Sequence, residues 1–398
     1  MLLCFMAITQ ADLLKFRADT LGTQDRIHLN NAGSSLPPAV VTEHMITYLL
    51  EESKLGGYEY HRVRGAELEA CYDLIARMIN ANSHEVALLE NATVAWNAAF
   101  QSIDFQDGDE VITNSCDYAS NYLSYLNHDK KLVVKVIPDD SSGDPDLDDF
   151  DKMFSSKTKL VAITHMPTNG GLVNPVEQIG EITKRHGVLY LVDACQSAGQ
   201  YPLDVDKIQC DFLSATGRKY LRAPRGTGFL YARQSALAIT HPRMIDLHSA
   251  EWTGLNTYHV RTDARRYEIW EGNRAAQMGL KAAVAYANDI GLSHIWERVV
   301  ELGQYLRDLL SDLPDVSLRD KGSIKGGIVS FNHDKYDALS LQSLLFERGI
   351  NISWNGAANT YIDMTQRDLK EICRASVHYY NTKEELEEFV SALKELSK

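Results

Sequence analysis

Between residues 85 and 235 the chain alternates short apolar runs with stretches of helical period. EVALLE (85–90), DEVITN (109–114), LVVKVIP (132–138), KLVAITH (159–165), VLYLVD (188–193), DFLSAT (211–216) and GFLYA (228–232) are predicted strands. The first, fourth, fifth and sixth are nearly continuous apolar runs rather than strict alternations. That pattern belongs to strands buried on both faces of a mostly parallel sheet. Between them the spacing predicts helices over 93–102 and 175–186. The second has Asn174 as N-cap, Pro175 at the first helical position and Gly187 as its stop. The alternation predicts an α/β fold: a three-layer α/β/α domain around a mostly parallel seven-stranded sheet.

After Arg265 the pattern changes. Long helices are predicted over 273–289 and 293–313, followed by GGIVSFN, a helix over 338–348, ICRASVHYY as a strand and a C-terminal helix from Lys383. The expected division is a large domain over 30–265 and a small α+β domain built from 1–29 and 266–398.

The chain has 398 residues, enough for two packed domains, and its 44% hydrophobic and 24% charged content is that of a soluble globular protein. A net charge of −14 and the lack of any basic block exclude a nucleic-acid partner. Six cysteines are scattered without a CxxC pair, which removes zinc-ribbon and thioredoxin-like readings and points to a reducing, cytoplasmic compartment. The start, MLLCFMAITQ, lacks the basic region and cleavage site of a signal peptide, and Met6 is an alternative to Met1. No apolar run approaches the roughly 20 residues that span a bilayer, so no membrane partner is expected.

In open α/β sheets ligands sit beyond the carboxyl ends of the strands. Here those ends carry Asn91-Ala92-Thr93, Asp117-Tyr118, Thr168-Asn169, Asp193 and Thr216 to Lys219, in that order. An acid that holds a protonated pyridine nitrogen and a lysine that forms a Schiff base are groups pyridoxal phosphate requires, and Asp193 and Lys219 supply them. The blander readings are a solvated loop lysine and an N-cap aspartate. Ala92 and Thr93 open a helix, where backbone N–H groups favour a phosphate. Thr216 and Arg218 add a hydroxyl and a charge to the same phosphate. Tyr118 is the candidate to stack on the ring, with core packing as its rival. Gln196 and Thr168 are candidates for the ring hydroxyl, and Cys195 is read as packing. No GxGxxG follows the first strand of the alternating region, which weakens a dehydrogenase reading.

Taken together, HLNNAGSSLPP, ENATVAWN, CDYASN, THMPTNGGLVNP, VDACQSAGQ, SATGRKYLRAPRGTGFLY and CRASVHYYNTKEEL resemble the class V aminotransferase and cysteine desulfurase family of fold type I pyridoxal-phosphate enzymes. The resemblance runs nearly the whole length. It implies that Lys219 is the Schiff-base lysine, Asp193 the pyridinium partner and Arg374 the arginine that pairs with a substrate α-carboxylate. It places Asn31 on the substrate side. It also implies a homodimer in which the segment containing Asn273 reaches the partner's phosphate, although EIWEGN lacks the usual threonine. The desulfurases carry a loop cysteine shortly before that arginine, and 351–365 has none. The resemblance therefore implies an α-amino acid enzyme working through a Cα carbanion, aminotransferase-like first. A C–S lyase or an epimerase is the alternative, and a persulfide-forming desulfurase is disfavoured. A non-catalytic scaffold would be expected to lose Lys219, Asp193 or Arg374.

Overall fold

Seven strands form the central sheet: β1 (Val86–Leu89), β2 (Glu110–Asn114), β3 (Val133–Ile137), β4 (Thr158–Thr164), β5 (Leu189–Asp193), β6 (Phe212–Thr216) and β7 (Gly228–Ala232). Their order is β1-β7-β6-β5-β4-β2-β3 in the computed structural model, which describes residues 8–398. All run parallel except β7, which is antiparallel to both neighbours. The nearly continuous apolar runs lie where both faces are covered: β1 and β6 are buried at every position, β4 at all but Lys159 and β5 at all but Leu189. With β1, β3 is one of the two edge strands. Its Lys135 points out of the run and pairs with Glu110 at 2.8 Å, a charge that discourages pairing with a further strand. The expected seven-stranded, mostly parallel sheet is what the structure shows.

The helices connecting the strands follow the sequence with local shifts. Helix α1 (Ala92–Gln101) starts one residue earlier than expected because Asn91 is its N-cap, accepting from the Val94 amide at 3.0 Å. Helix α2 (Ala119–Leu126) follows Tyr118. Helix α3 (Val176–Arg185) begins after Pro175, whose backbone is not helical. Asn174 does not cap it; its amide donates to the Thr164 carbonyl at 2.7 Å instead. Gly187, at φ +67°, ends the helix as expected.

A second sheet of four antiparallel strands has the order Val316–Leu318, Ile328–His333, Glu371–Ser376, Ser353–Gly356. The run ICRASVHYY stops being a strand at Ser376, because the Val377 amide turns to the Gly327 carbonyl. The N-terminal segment packs here: Ile27 and His28 pair in parallel with Ile350 and Asn351. Helix α4 (Arg274–Ile290) does not belong to this sheet's core. Its Leu280, Ala283 and Val284 join the cluster that covers β4 and β5, so the two units share an apolar seam. Among the described residues no helix is long and apolar enough to cross a membrane. The question of Met1 against Met6 lies outside the described residues.

The last helix, α5 (Lys383–Leu396), starts with a capping box. The Thr382 hydroxyl accepts from the Glu385 amide and the Glu385 carboxylate accepts from the Thr382 amide. Thr382→Ala is expected to cost about 1 kcal/mol of stability, read as a lowered urea midpoint. An unchanged midpoint would show that the Arg17–Glu385 ion pair holds this end unaided.

Candidate functional site

β5 and β6 are neighbouring parallel strands, with Asp193 opposite Ser214. Asp193 is therefore the last residue of one strand, and Lys219 lies three residues beyond the end of the next. Both are buried. One Asp193 oxygen accepts from the Cys195 amide at 2.9 Å and the other from the Asn121 side chain at 2.9 Å. These two donors fix the plane of the carboxylate. Burial lowers the pKa of Lys219; Cys195 and Asp193 oppose that shift, while Arg218 and Arg374 add to it. The amine is thus pushed toward its neutral, nucleophilic form. Its Nζ stands 5.9 Å from the centroid of the Tyr118 ring.

The phosphate candidates converge on one glycine. Thr216 at the end of β6 sits opposite Gly228. A Cβ on Gly228 would lie 2.6 Å from the Ala215 carbonyl and 3.0 Å from Asn91. The absent side chain lets the start of α1 press against the end of β6. Thr216 and the first-turn amides of Ala92 and Thr93 are thereby neighbours, and such amides have no partner inside their own helix. The Thr93 side chain itself is exposed. Arg218 is half-buried and donates to the Gly33 carbonyl.

Arg374 reaches the site from the small sheet. Its Nη1 donates to both the carbonyl and the hydroxyl of Thr168, at 2.8 and 2.7 Å. Its Nε is buried without a partner. Burial pushes Arg374 down to about 10, so it remains a cation at neutral pH. Thr168 was expected beside a ring hydroxyl; its hydroxyl is instead committed to orienting this guanidinium. Gln196 donates from Nε2 to the Ala32 carbonyl at 3.1 Å, while its buried Oε1 has no donor.

Two expected residues are occupied elsewhere. Asn31, expected on the substrate side, is fully buried, donates to the Ser376 carbonyl at 2.8 Å and accepts from the Tyr380 hydroxyl at 2.5 Å. It ties the N-terminal turn to the small sheet. Asn273 is the N-cap of α4, accepting from the Ala276 amide at 2.9 Å, and no contact joins it to Lys219. The residue that sequence reasoning missed is Asn121. Its only signal was its place four residues after Asp117, at the start of a helix.

The segment lacking a cysteine is folded onto the site's flank. Residues Ser353–Gly356 form a strand and Tyr361–Gln366 a helix. Asn169 binds Thr360 at 3.0 Å, and Lys321 holds Asp363 at 2.8 Å.

A family model described as aminotransferase class-V matches residues 27–389. A probable cysteine desulfurase of Synechocystis is 32% identical over 379 residues, 92% of this chain and 90% of that protein. One from Pyrococcus abyssi is 30% identical over 96% of this chain and 97% of its own. The apo structure of a cysteine desulfurase from Thermococcus onnurineus superimposes with a TM-score of 0.88 at 28% identity, covering 96% of this chain and 97% of that one. With a family model spanning nearly its whole length, the chain belongs to the aminotransferase class-V family of pyridoxal-phosphate-dependent enzymes.

Proposed function

We propose that this enzyme cleaves the Cβ–S bond of a cysteine-type α-amino acid by β-elimination and releases the sulfur into solution rather than onto a protein thiol. Two supports combine. The relatives named above are probable cysteine desulfurases, and the thiols among the described residues are unsuited to accept sulfur. Residues 351–365 contain no cysteine. Burial pushes the thiols of Cys116 and Cys195 up to about 12. It raises that of Cys373 further, and Cys373 is buried against the Ala338 carbonyl. A thiol held that far above neutrality supplies almost no thiolate.

The residues fit the cofactor. The unpartnered Gln196 Oε1 awaits a donor such as a ring hydroxyl, the cradle at Gly228 suits a phosphate, and Asp193 presents an anion to a ring nitrogen. Pyridoxal phosphate, when bound, supplies an electron sink for the Cα–H bond of an amino acid. Arg374 binds the substrate carboxylate through its free Nε edge. Lys219 would take the proton from Cα as a neutral base. Asp193 would face the ring nitrogen, and Tyr118, whose ring centroid lies 5.9 Å from the Lys219 amine, would cover the cofactor ring. For cysteine, the balance is cysteine and water giving pyruvate, ammonia and hydrogen sulfide.

The test is a panel of cysteine, cystine and other amino acids, with pyruvate, sulfide, ammonia and alanine measured together. Equal sulfide and pyruvate from a cysteine-type substrate is the expected result. Alanine as the product would restore desulfuration, and a keto acid formed only with an acceptor keto acid would restore transamination. Substituting Cys195 and Cys373 together by alanine is expected to leave sulfide release within about twofold, since volume changes of this kind act on packing rather than chemistry. Loss of sulfide release from a folded double variant would place a thiol in the reaction.

A further inference from the structure

Asp117 lies one residue before Tyr118 and is buried. Its carboxylate takes five hydrogen bonds. One oxygen accepts from the Tyr118 amide at 2.8 Å, the Thr164 hydroxyl at 2.9 Å and the Asn121 side chain at 3.2 Å. The other accepts from the Thr113 and Tyr125 hydroxyls, both at 2.9 Å. Every partner is a neutral donor, and the Tyr118 and Asn121 N–H groups have no lone pair to offer in return. A buried anion without a counter-cation is expensive unless fixed dipoles satisfy it. Burial drives this carboxyl up to about 6, and the hydroxyl and amide donors act against that rise.

Asn121 gives this hub its reach. A side-chain amide has two N–H bonds. One points at Asp117 and the other at the Asp193 oxygen 2.9 Å away. Two carboxylates facing one NH₂ group also decide the amide's orientation, because the flipped form would set its oxygen against both anions. The same carboxylate holds the Tyr118 backbone amide. One anchor thus connects to both groups that contact a bound ring: the aromatic cover and the acid at the ring nitrogen.

We propose that Asp117 is a positioning residue that acts through Asn121 on Asp193 and through the backbone on Tyr118, holding both in register for the cofactor ring. The proposal rests on the assignment of Asp193 and Lys219 to that cofactor.

The experiment measures three quantities on reconstituted protein: the pyridoxal-phosphate dissociation constant, the circular dichroism induced in the cofactor band, and the thermal midpoint of the apoprotein. Asn121→Ala and Asp117→Asn are expected to raise the dissociation constant about tenfold, the scale of one lost charge-assisted hydrogen bond. Each is expected to lose most of the induced dichroism, which reports a fixed ring orientation, while the Asn121→Ala apoprotein stays folded with its thermal midpoint lowered by a few degrees, the cost of a donor lost from two buried carboxylates. A folded Asn121→Ala with the parent's affinity and dichroism overturns the proposal. If Asp117→Asn does not fold, Thr113→Val takes its place, removing one of the five donors. It must weaken cofactor binding in the same direction, and parental values overturn the hub. A parent protein that binds no pyridoxal phosphate overturns the site assignment itself. A parent that binds it normally beside silent variants overturns only the positioning role.

Discussion

Lys219→Ala is expected to lower turnover roughly 10³- to 10⁴-fold while leaving the fold intact. The amine has two duties, and no neighbour takes over either. In the proposed mechanism it would hold the cofactor before substrate arrives and remove the Cα proton afterwards. Asp193 accepts from the Cys195 amide and the Asn121 side chain and, in the proposed mechanism, is committed to the ring. Arg218 and Arg374 stay protonated and accept no proton. The variant is expected to bind pyridoxal phosphate more weakly and to yield no borohydride-fixed cofactor on the peptide that includes residue 219. The parent, trapped the same way, carries the label there. A Lys219→Ala enzyme with turnover within tenfold of the parent would require another base and would dismantle the mechanism. The burial that makes the lysine nucleophilic also makes Lys219→Arg a poor rescue, because a guanidinium keeps its proton in that environment.

The strand ends were legible because contiguous apolar runs leave few choices. Each run in 85–232 became a strand within a residue or two, and the polar residues after the parallel strands lie at the carboxyl edge of the sheet. Asp193 and Lys219 were thereby placed by local pattern alone. Side-chain commitments between distant segments were not legible. Asn31 is consumed by Tyr380, 349 residues away, and no spacing rule reports such a bond. Thr168 was read for the ring because it follows β4, yet its partner Arg374 lies 206 residues on. Asn273 also has a local contact, its Oδ1 accepting from the amide of Ala276. An Asn before a helical run is a good N-cap, and that plain reading is what the structure shows. Asn121 escaped notice because an exposed helical asparagine and a bridging one look alike in sequence. Only the packing of α2 beside β5 brings its amide to Asp193.

Arg374→Ala is expected to lower kcat/KM for amino acid substrates about 10²- to 10³-fold, mostly through KM, as when one partner of a buried charge pair is removed. The reasoning starts from what Thr168 does. By taking Nη1 at its carbonyl and hydroxyl, it spends one side of the fork on the protein. It leaves the buried Nε side without a partner. A planar fork oriented this way matches two carboxylate oxygens, whereas a lysine offers a single point charge. Arg374→Lys is therefore expected to recover little of the loss. Thr168→Val removes the hydroxyl contact but keeps the carbonyl one, so it is expected to raise KM only a few-fold, about the effect of one hydrogen bond to a charged group. A substrate without a carboxylate separates binding from general damage. Cysteamine, poor for the parent, is expected to react with Arg374→Ala no worse than with the parent. If the variant lost activity toward cysteamine as well as cysteine, the arginine would be a structural support of the site and not its carboxylate anchor. If KM for cysteine stayed at the parent value, the carboxylate would be bound elsewhere.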